Sequence, residues 1–544
     1  MDEIRKQDRP DYRCAAWQRM QPAQEIVRDV KGGTLRLRET GASSTGVNGQ
    51  SVAVSKYLPK FPAEHADDYR DRLKTAVLFN SYGRTVLGSK GLVFKKNPVL
   101  SPDVPLAIRG RKPELNDDGA VKTPGVEGHW DNLDLAGTRG EVFCQEVFES
   151  AFEGHCFVLV DMPPALGPDA TLEDELRAGL RPYWIKYEAR QAVNFVPVVI
   201  NGRKEIGQIT FEEETCERDG EFGERTVLHY RILSLIEFLN PADGRSMQRV
   251  LSRVQKKVKG EDGKDKFEDV GEPRFIKGPR GDYFDRIPIA VTYGRKVGFL
   301  ESEPPRLDLA LLCVKYFQKE SDRDQSEHKC GNPIPVFKVA EPESWKVRQA
   351  GSGLGLAIGK DEEATYLEPQ GVALEETRKT LEDLRSQMAA LGLSMLVARP
   401  QADATATESI IDFAQESSEL EIMAGSAEQC FTKCLGFHAR YLGEKSGGSV
   451  SLGSHLKALR LTPQMIQVFS SMAAQNQLTI LTLLEILQQA DALPETVNPK
   501  EESEALKEQA DTVGAALLRQ FDKGTMPPPG AGVGADAGGA GAGA

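Results

Sequence analysis

The sequence predicts an α+β protein assembled from several substructures, and three observations carry that expectation. Between Arg181 and Ile289 the chain is dense in β-branched and aromatic residues punctuated by turn signals, the pattern of strands. Beyond Pro304-Pro305 apolar residues recur every three or four positions over long stretches, the period of amphipathic helices. A length of 544 residues also exceeds the usual size of one compact domain.

Residues 1–60 predict an irregular N-terminal arm, with mixed charge, Gly32-Gly33 and the run GASSTG at 41–46. An α/β region is expected over 61–305. It opens with a helix after Pro62 on which Tyr69, Leu73, Ala76 and Val77 share a face; Asp67, Asp68, Arg70 and Arg72 lie largely outside that face, and the pattern fades near Gly88. GLVFKKNPVL (91–100) predicts a short strand and turn. A helix over about 137–153 carries Phe143, Val147, Phe148 and Phe152, ends at Gly154 and feeds an apolar strand at 156–163. PYWIKY, AVNFVPVVI, IGQITF and VLHYRILSLIEF follow as strands, with Asn201-Gly202 as a hairpin turn. In 248–270, Val250, Val254 and Val258 fall on one strand face, and the surrounding charges with the GEDGKD turn predict an exposed hairpin.

The C-terminal half predicts helices. The segment 306–330 places Leu307, Ala310, Leu311, Val314 and Phe317 on one stripe and would span roughly 36 Å. Gly331, Pro333 and Pro335 stop it, and a Gly-rich strand-and-loop section fills 331–372. A second helix at 373–392 spaces Leu374, Leu381, Leu384, Met388 and Leu391 like a heptad, with Glu375 and Glu376 in its dipole-favoured first turn. After a loop at 393–407, Thr405 with Glu408 makes a capping-box signature for a helix at 408–440. Its stripe runs through Ile410, Phe413, Ala414, Leu420, Ala424, Ala427, Phe431 and Cys434. A helical region is expected over 441–520. The Gly/Ala/Pro tail at 521–544 has the composition of a disordered segment.

Composition narrows the chemistry. A formal net charge of -13 argues against a protein that wraps nucleic acid, since that affinity rests on dense Lys and Arg, but it suits a conduit that must not grip its cargo. No apolar run approaches the roughly 20 residues of a membrane helix, and MDEIRKQDRP holds no apolar leader core, so a soluble, non-exported chain is expected. Eight dispersed cysteines without a CxxC pair predict reduced thiols. GSGLGLAIGKDEEA (351–364) fails as a phosphate loop, because three residues rather than four separate Gly355 from Gly359-Lys360 and Asp361 stands where Ser or Thr is needed. Cys430, Cys434 and His438 could share a helix face, yet the last two continue the apolar stripe and no fourth metal ligand is evident. Paired acids such as Asp322 with Asp324, or Glu362 with Glu363, have the ordinary reading of solvated charges. No catalytic residue, metal site or cofactor is therefore expected. Lys315, Lys319 and Arg323 form a basic row at i, i+4 and i+8, open either to pairing with Glu320, Asp322 and Glu327 or to facing DNA.

Nine strings occur in order along residues 57–409: YLPKFPAEHADDYRDRLKTAV (57–77), GLVFKKNP (91–98), FEGHCFVLVDMP (152–163), RPYWIKYEA (181–189), DRIPIA (285–290), ESEPPRLDLA (301–310), TYLEPQG (365–371), MAALG (388–392) and TATES (405–409). Together with two long helices flanking a short β/loop insert, then a loop, a long helix and a helical bundle, they resemble an uncharacterised-domain family of portal-like proteins of tailed bacteriophages. TPQMIQVFSSM (462–472) and LPETVNPKEE (493–502) agree less sharply, and the charged insertions near 212–224 and 258–270 depart from the pattern.

The resemblance implies a phage portal fold: an α/β wing, a two-helix stem, a small β/loop clip, a tunnel loop with a long wing helix, and a helical crown. It implies a closed ring, dodecameric as is usual in such families, at one capsid vertex. The ring would pass double-stranded DNA and dock terminase, a head–tail adaptor, and the major capsid or scaffold protein, in the virion and in the host cytoplasm during assembly, without a membrane. By that plan Lys315, Lys319, Arg323 and Arg399 would face the DNA channel, and Lys338, Trp345, Lys346, Arg348 and Lys360 would serve docking at the clip. The heptad-like stripe exceeds what one subunit is expected to bury, so Leu381, Leu384 and Met388 are expected at a subunit interface. The competing expectations are another connector or minor capsid protein, and a packaging NTPase, which would need the phosphate loop that is absent.

Overall fold

The computed structural model describes residues 5–45, 51–62, 64–111, 113–115, 121–164, 172–239, 246–259, 265–279, 281–330, 336–338, 356–358, 372–392, 406–452, 469–473, 478–489, 493 and 497–506. Strands and helices both build the chain in quantity, as an α+β class requires. It divides into two compact units, Met1–Gly453 and Ser454–Ala544.

The first unit begins with a helix, α1 (Ala15–Lys31), where an irregular arm was expected. Cys14 caps it, its Sγ accepting from the Trp17 N–H, and Met20, Gln24, Val27 and Val30 form the buried side. Pro22 and the dense charge mask that period in the sequence; inside the fold Val27 and Val30 are wholly buried. The single helix expected after Pro62 is two, α2 (Ala66–Thr75) and α3 (Ser81–Val93), because Asn80 restarts the chain as a cap whose Oδ1 accepts from the Gly83 N–H at 2.7 Å. Val77 consequently lies exposed in the break. Arg72, expected on the outer face, is buried. It grips Glu64 through two hydrogen bonds of 2.7 and 2.8 Å and lies over the Phe61 ring. Burial would push the Glu64 carboxyl up, but Arg72 outweighs it and holds the group below its ordinary value.

Helix α4 (Gly140–Ser150) leads through a short 3-10 turn to β1 (His155–Asp161), buried along its whole length. Gly154 makes the corner at φ +126°, where a side chain would also meet Ser302 Oγ. β1 is the middle strand of an antiparallel three-stranded sheet, between β2 (Tyr183–Glu188) and β8 (Ile289–Tyr293). The second sheet is antiparallel in the order β7-β6-β5-β4-β3, from β7 (Asp265–Asp269), β6 (Ser246–Lys259), β5 (Gly223–Leu239), β4 (Arg203–Asp219) and β3 (Ala192–Ile200). Asn201 and Gly202, both at positive φ, close the β3–β4 turn as expected. The charged stretch at 212–224 continues β4 and β5 and includes the turn between them, and β6 with β7 forms the hairpin expected over 248–270. β7 is its exposed edge strand, while β6 is paired on its other side to β5 and buries Val250.

Helix α5 (Leu307–Cys330) and helix α6 (Val372–Leu391) match the expected bounds to within a residue or two. They run antiparallel. Arg306 Nη1 donates to Leu391 O at 2.9 Å, Cys313 Sγ lies 3.8 Å from Met388 Sδ, and Arg385 Nε donates to Tyr316 Oη at 2.9 Å. The buried stripe of α5 is Leu309, Ala310, Cys313, Tyr316 and Phe317, while Leu311 is exposed; α1, α2, α3 and α6 all pack on α5 and rotate the buried arc away from the expected line. Between α5 and α6 in the chain, β9 (Val336–Lys338) and β10 (Leu356–Ile358) pair in parallel.

The expected interface residues need correction. Leu381, Leu384 and Met388 are each at most 2 % exposed within the single chain, because the antiparallel return of α6 lays them on α5. No neighbour is required to cover them. Helix α7 (Ala406–Tyr441) then crosses the three-stranded sheet with Leu420, Ala424, Ala427, Phe431 and Cys434 buried, the later part of the stripe expected of it; the side chains of Ile410, Phe413 and Ala414 lie outside the described residues. The chain next pairs Val450–Ser451 with Val99–Leu100, so the start of the expected crown belongs to the first unit.

In the second unit, α8 (Ile480–Gln489) is joined to a helix at 499–506 by Gln488 Nε2, which donates to Val497 O at 2.9 Å. The 521–544 tail lies outside the described residues.

Leu384→Ala should lower unfolding free energy by about 2–5 kcal/mol through the cavity it leaves. Chemical denaturation checks this; a loss under about 1 kcal/mol would contradict the α5–α6 packing. Arg72→Met should cost about 3–5 kcal/mol by stranding the Glu64 carboxylate. The added Glu64→Leu change should recover most of that loss, as a double-mutant cycle would show.

Candidate nucleic-acid interface and the docking of its long helix

Helices α5 and α6 carry residues expected to meet DNA. Lys315 is exposed on α5 and has no ion pair among the described residues. Lys319 lies 3.9 Å from Asp322. Arg323 is largely committed: its guanidinium meets Glu320 at 2.8 Å, Asp324 at 3.1 Å and Glu327 at 3.3 Å. The basic row is thus a graded one, open at Lys315 and neutralised at Arg323. On α6, Arg378 is clamped by Glu375 and Glu382, and Arg385 stacks between Tyr316 and Phe79. Acidic residues outnumber basic ones on both helices. A surface of this kind offers few phosphate contacts.

Lys338 lies in β9. Trp345, Lys346, Arg348, Lys360 and Arg399 lie outside the described residues, as do Glu362 and Glu363 and most of the Gly-rich stretch. Asp322 faces Lys319 and Arg72, and Asp324 faces Arg323.

The best-organised polar group in the chain is the one that seats α7. Trp184 of β2 is fully buried among Phe143, Trp130 and Phe431, with ring centroids 5.9, 6.2 and 6.4 Å away. Its indole N–H donates to His438 Nδ1 at 3.1 Å. A neutral imidazole whose Nδ1 accepts carries its proton on Nε2, so His438 Nε2–H donates to His129 Nδ1 at 2.9 Å. A directed chain of two hydrogen bonds results, joining β2, α7 and the turn at His129–Asp131. Burial, then the proximity of His129 and Arg181, pushes His438 well below the ordinary histidine value. Burial, with Arg181, pulls His129 down to about 4.

Both ring nitrogens of His438 are therefore occupied. Burial also pushes the Cys430 thiol up, away from the thiolate that binds metals. Among the described residues no group of three or more His, Cys, Asp and Glu is placed to hold a metal ion. Sequence reasoning saw His438 on the apolar stripe of α7. It missed Trp184 and His129 as its partners, which lie hundreds of positions away with no local signal.

The sign of the acid response follows. His129 binds its proton less readily folded (about 4) than unfolded (about 6.5), so the unfolded state takes up more protons between those values. Its stabilising contribution is complete above about pH 6.5 and is lost as pH falls toward 4. Glu153, which burial pushes up to about 6, acts in the opposite direction, so a variant comparison is the proper readout. His129→Gln, which keeps a carbonyl acceptor for His438, should flatten the fall in melting temperature between pH 6.5 and 4.5. Parallel profiles for variant and parent would contradict the tautomer chain.

No helix among the described residues is long and apolar enough to cross a membrane. No curated protein shows a significant match to the chain. A family model, described as Domain of unknown function (DUF4055), matches residues 305–442. The family is associated with phages, and its match opens just before α5 and closes just after α7, so it takes in the antiparallel helix pair, the insert between them and the long helix as one piece.

Proposed function

We propose that this chain is the subunit of a phage portal ring, set at one capsid vertex, through which double-stranded DNA is packaged and ejected. One observation carries the reading. The span matched by the phage-associated family coincides with an antiparallel helix pair, a small parallel β insert between its arms, and a long helix docked on a sheet. In the portal plan these are stem, clip and wing helix, with 393–407 as the tunnel loop. Terminase and a head–tail adaptor would dock at the clip, and no catalytic step is assigned to the chain.

The charge pattern of the stem supports the same reading. Each phosphate neutralised adds a salt slope of about 0.9, and roughly 6–10 such contacts change affinity by about 10³–10⁵ over modest salt steps. A conduit binding that firmly would stall. With Arg323 and Arg378 held by carboxylates, a stem that offers only a few open lysines, such as Lys315 and Lys379, lets a duplex slide.

Electron microscopy of the purified full chain should show closed rings with a central hole; monomers or open filaments across salt conditions would refute the proposal. Removal of Val397–Gln401, or Arg399→Ala, should leave rings intact while reducing packaged or retained genome. Full-length genomes packaged and held normally by the deletion variant would count against the tunnel-loop assignment.

A further inference from the structure

The β4–β5 hairpin ends in an exposed knob. Phe222 at its tip is 94 % exposed, the extreme among the large apolar side chains described. The tip is built, not frayed: Arg218 donates to the carbonyls of Gly220 and Glu221, at 3.1 and 2.8 Å, and pins the turn that presents the ring. Around it Asp219, Glu221 and Glu224 are exposed and have no ion pair among the described residues. A single exposed phenyl ring is ordinary on a protein surface. What sets this one apart is the pinned turn beneath it and the carboxylates around it, for which a matching surface exists on the same chain.

Such a surface lies at the far end of the same strand. A cleft of about 460 Å³ opens between the base of β4, the approach to β8 and the last turns of α7. Its floor is apolar, from Ile206, Ile287, Ile289 and Phe437. At its rim Glu205 and Asp285 face Arg286 and Arg440, which leaves exposed Lys433 with no ion pair among the described residues. Arg203 and Lys204 adjoin it with none either. An acidic, phenyl-tipped knob and a basic-rimmed, apolar hole are thus complementary in shape and charge.

They cannot meet within one chain. Ile206 sits at the start of β4 and the knob lies beyond its end, roughly 40 Å apart at the rise of an extended strand. We infer that Phe222 inserts into the Ile206/Ile287/Phe437 cleft of a second copy of this chain. Knob and hole are different surfaces, so the contact is head-to-tail, the class that closes into rings when the rotation between copies allows. The inference rests on the ring reading above and names an interface for it. It also supplies a neighbour contact now that Leu381, Leu384 and Met388 are covered internally.

The test uses the full chain carrying Phe222→benzoylphenylalanine, made as a mixture of isotope-labelled and unlabelled copies, irradiated and mapped by mass spectrometry. Crosslinks between copies into 203–206, 285–289 or 433–440 are expected. Crosslinks elsewhere, or none, in preparations that form rings by electron microscopy would overturn this contact and leave the ring standing. A chain that stays monomeric would overturn both. Phe222→Asp should raise the dissociation constant for assembly at least tenfold with an unchanged circular dichroism spectrum. Lys433→Glu should weaken assembly at low salt, and Glu221→Lys added to it should restore it. Unchanged assembly in both single variants would overturn the proposal.

Discussion

The first unit depends on satisfying one buried donor. Trp184 sits in an aromatic cluster where water cannot reach its indole N–H, and a buried donor without a partner costs about 1–3 kcal/mol. His438 is the acceptor, and accepting fixes its tautomer, its neutrality and its direction toward His129. These bonds fix where the C-terminal end of α7 lies on the sheet. From there Phe431, Ala427 and Leu420 run outward along the buried side of the helix. Arg306 at the root of α5 then meets Glu419 on α7 at 2.7 Å. Core, long helix and stem are in this way positioned in sequence from a single polar contact.

Charge is managed by local pairing. Although the chain is acidic overall, two of its buried carboxylates are matched closely by arginines: Asp161 accepts from both Arg231 and Arg274, and Glu64 from Arg72. Such pairs specify geometry more than they add stability, since desolvation offsets much of the attraction. Other cations, Lys315 and Lys433 among them, are exposed and have no ion pair among the described residues. Net charge alone would have concealed that distinction.

Much of the architecture was legible in the sequence. The strands of 181–289 announced themselves through β-branched alternation and Asn201-Gly202. The stem helices did so through proline and glycine stops and a clear apolar period. Legibility failed where a residue's environment comes from afar. α1 is hidden by Pro22 and its charges, because its apolar side is defined by α5 and not by its own composition. Arg72 looks like a solvated helix residue until Glu64 folds back on it. Leu381 and Leu384 show a stripe plainly, but periodicity says only that a face is covered, not by whom. The candidate site was only partly legible: Lys315 stands where the helical period put it, whereas the Trp184–His438–His129 chain joins three remote segments that no spacing rule connects.

The small insert of the stem has a mechanical consequence. Its strands are parallel, with Val336 opposite Leu356 and Lys338 opposite Ile358. The chain arrives from α5 at the leading end of β9 and departs toward α6 from the trailing end of β10. Tension between the two helices is therefore applied at opposite ends of the pair. All the ladder bonds are strained together in shear, where an antiparallel hairpin pulled at its open end would unzip bond by bond. Parallel pairing at this point lets the insert resist a pull on its two chain ends as a unit.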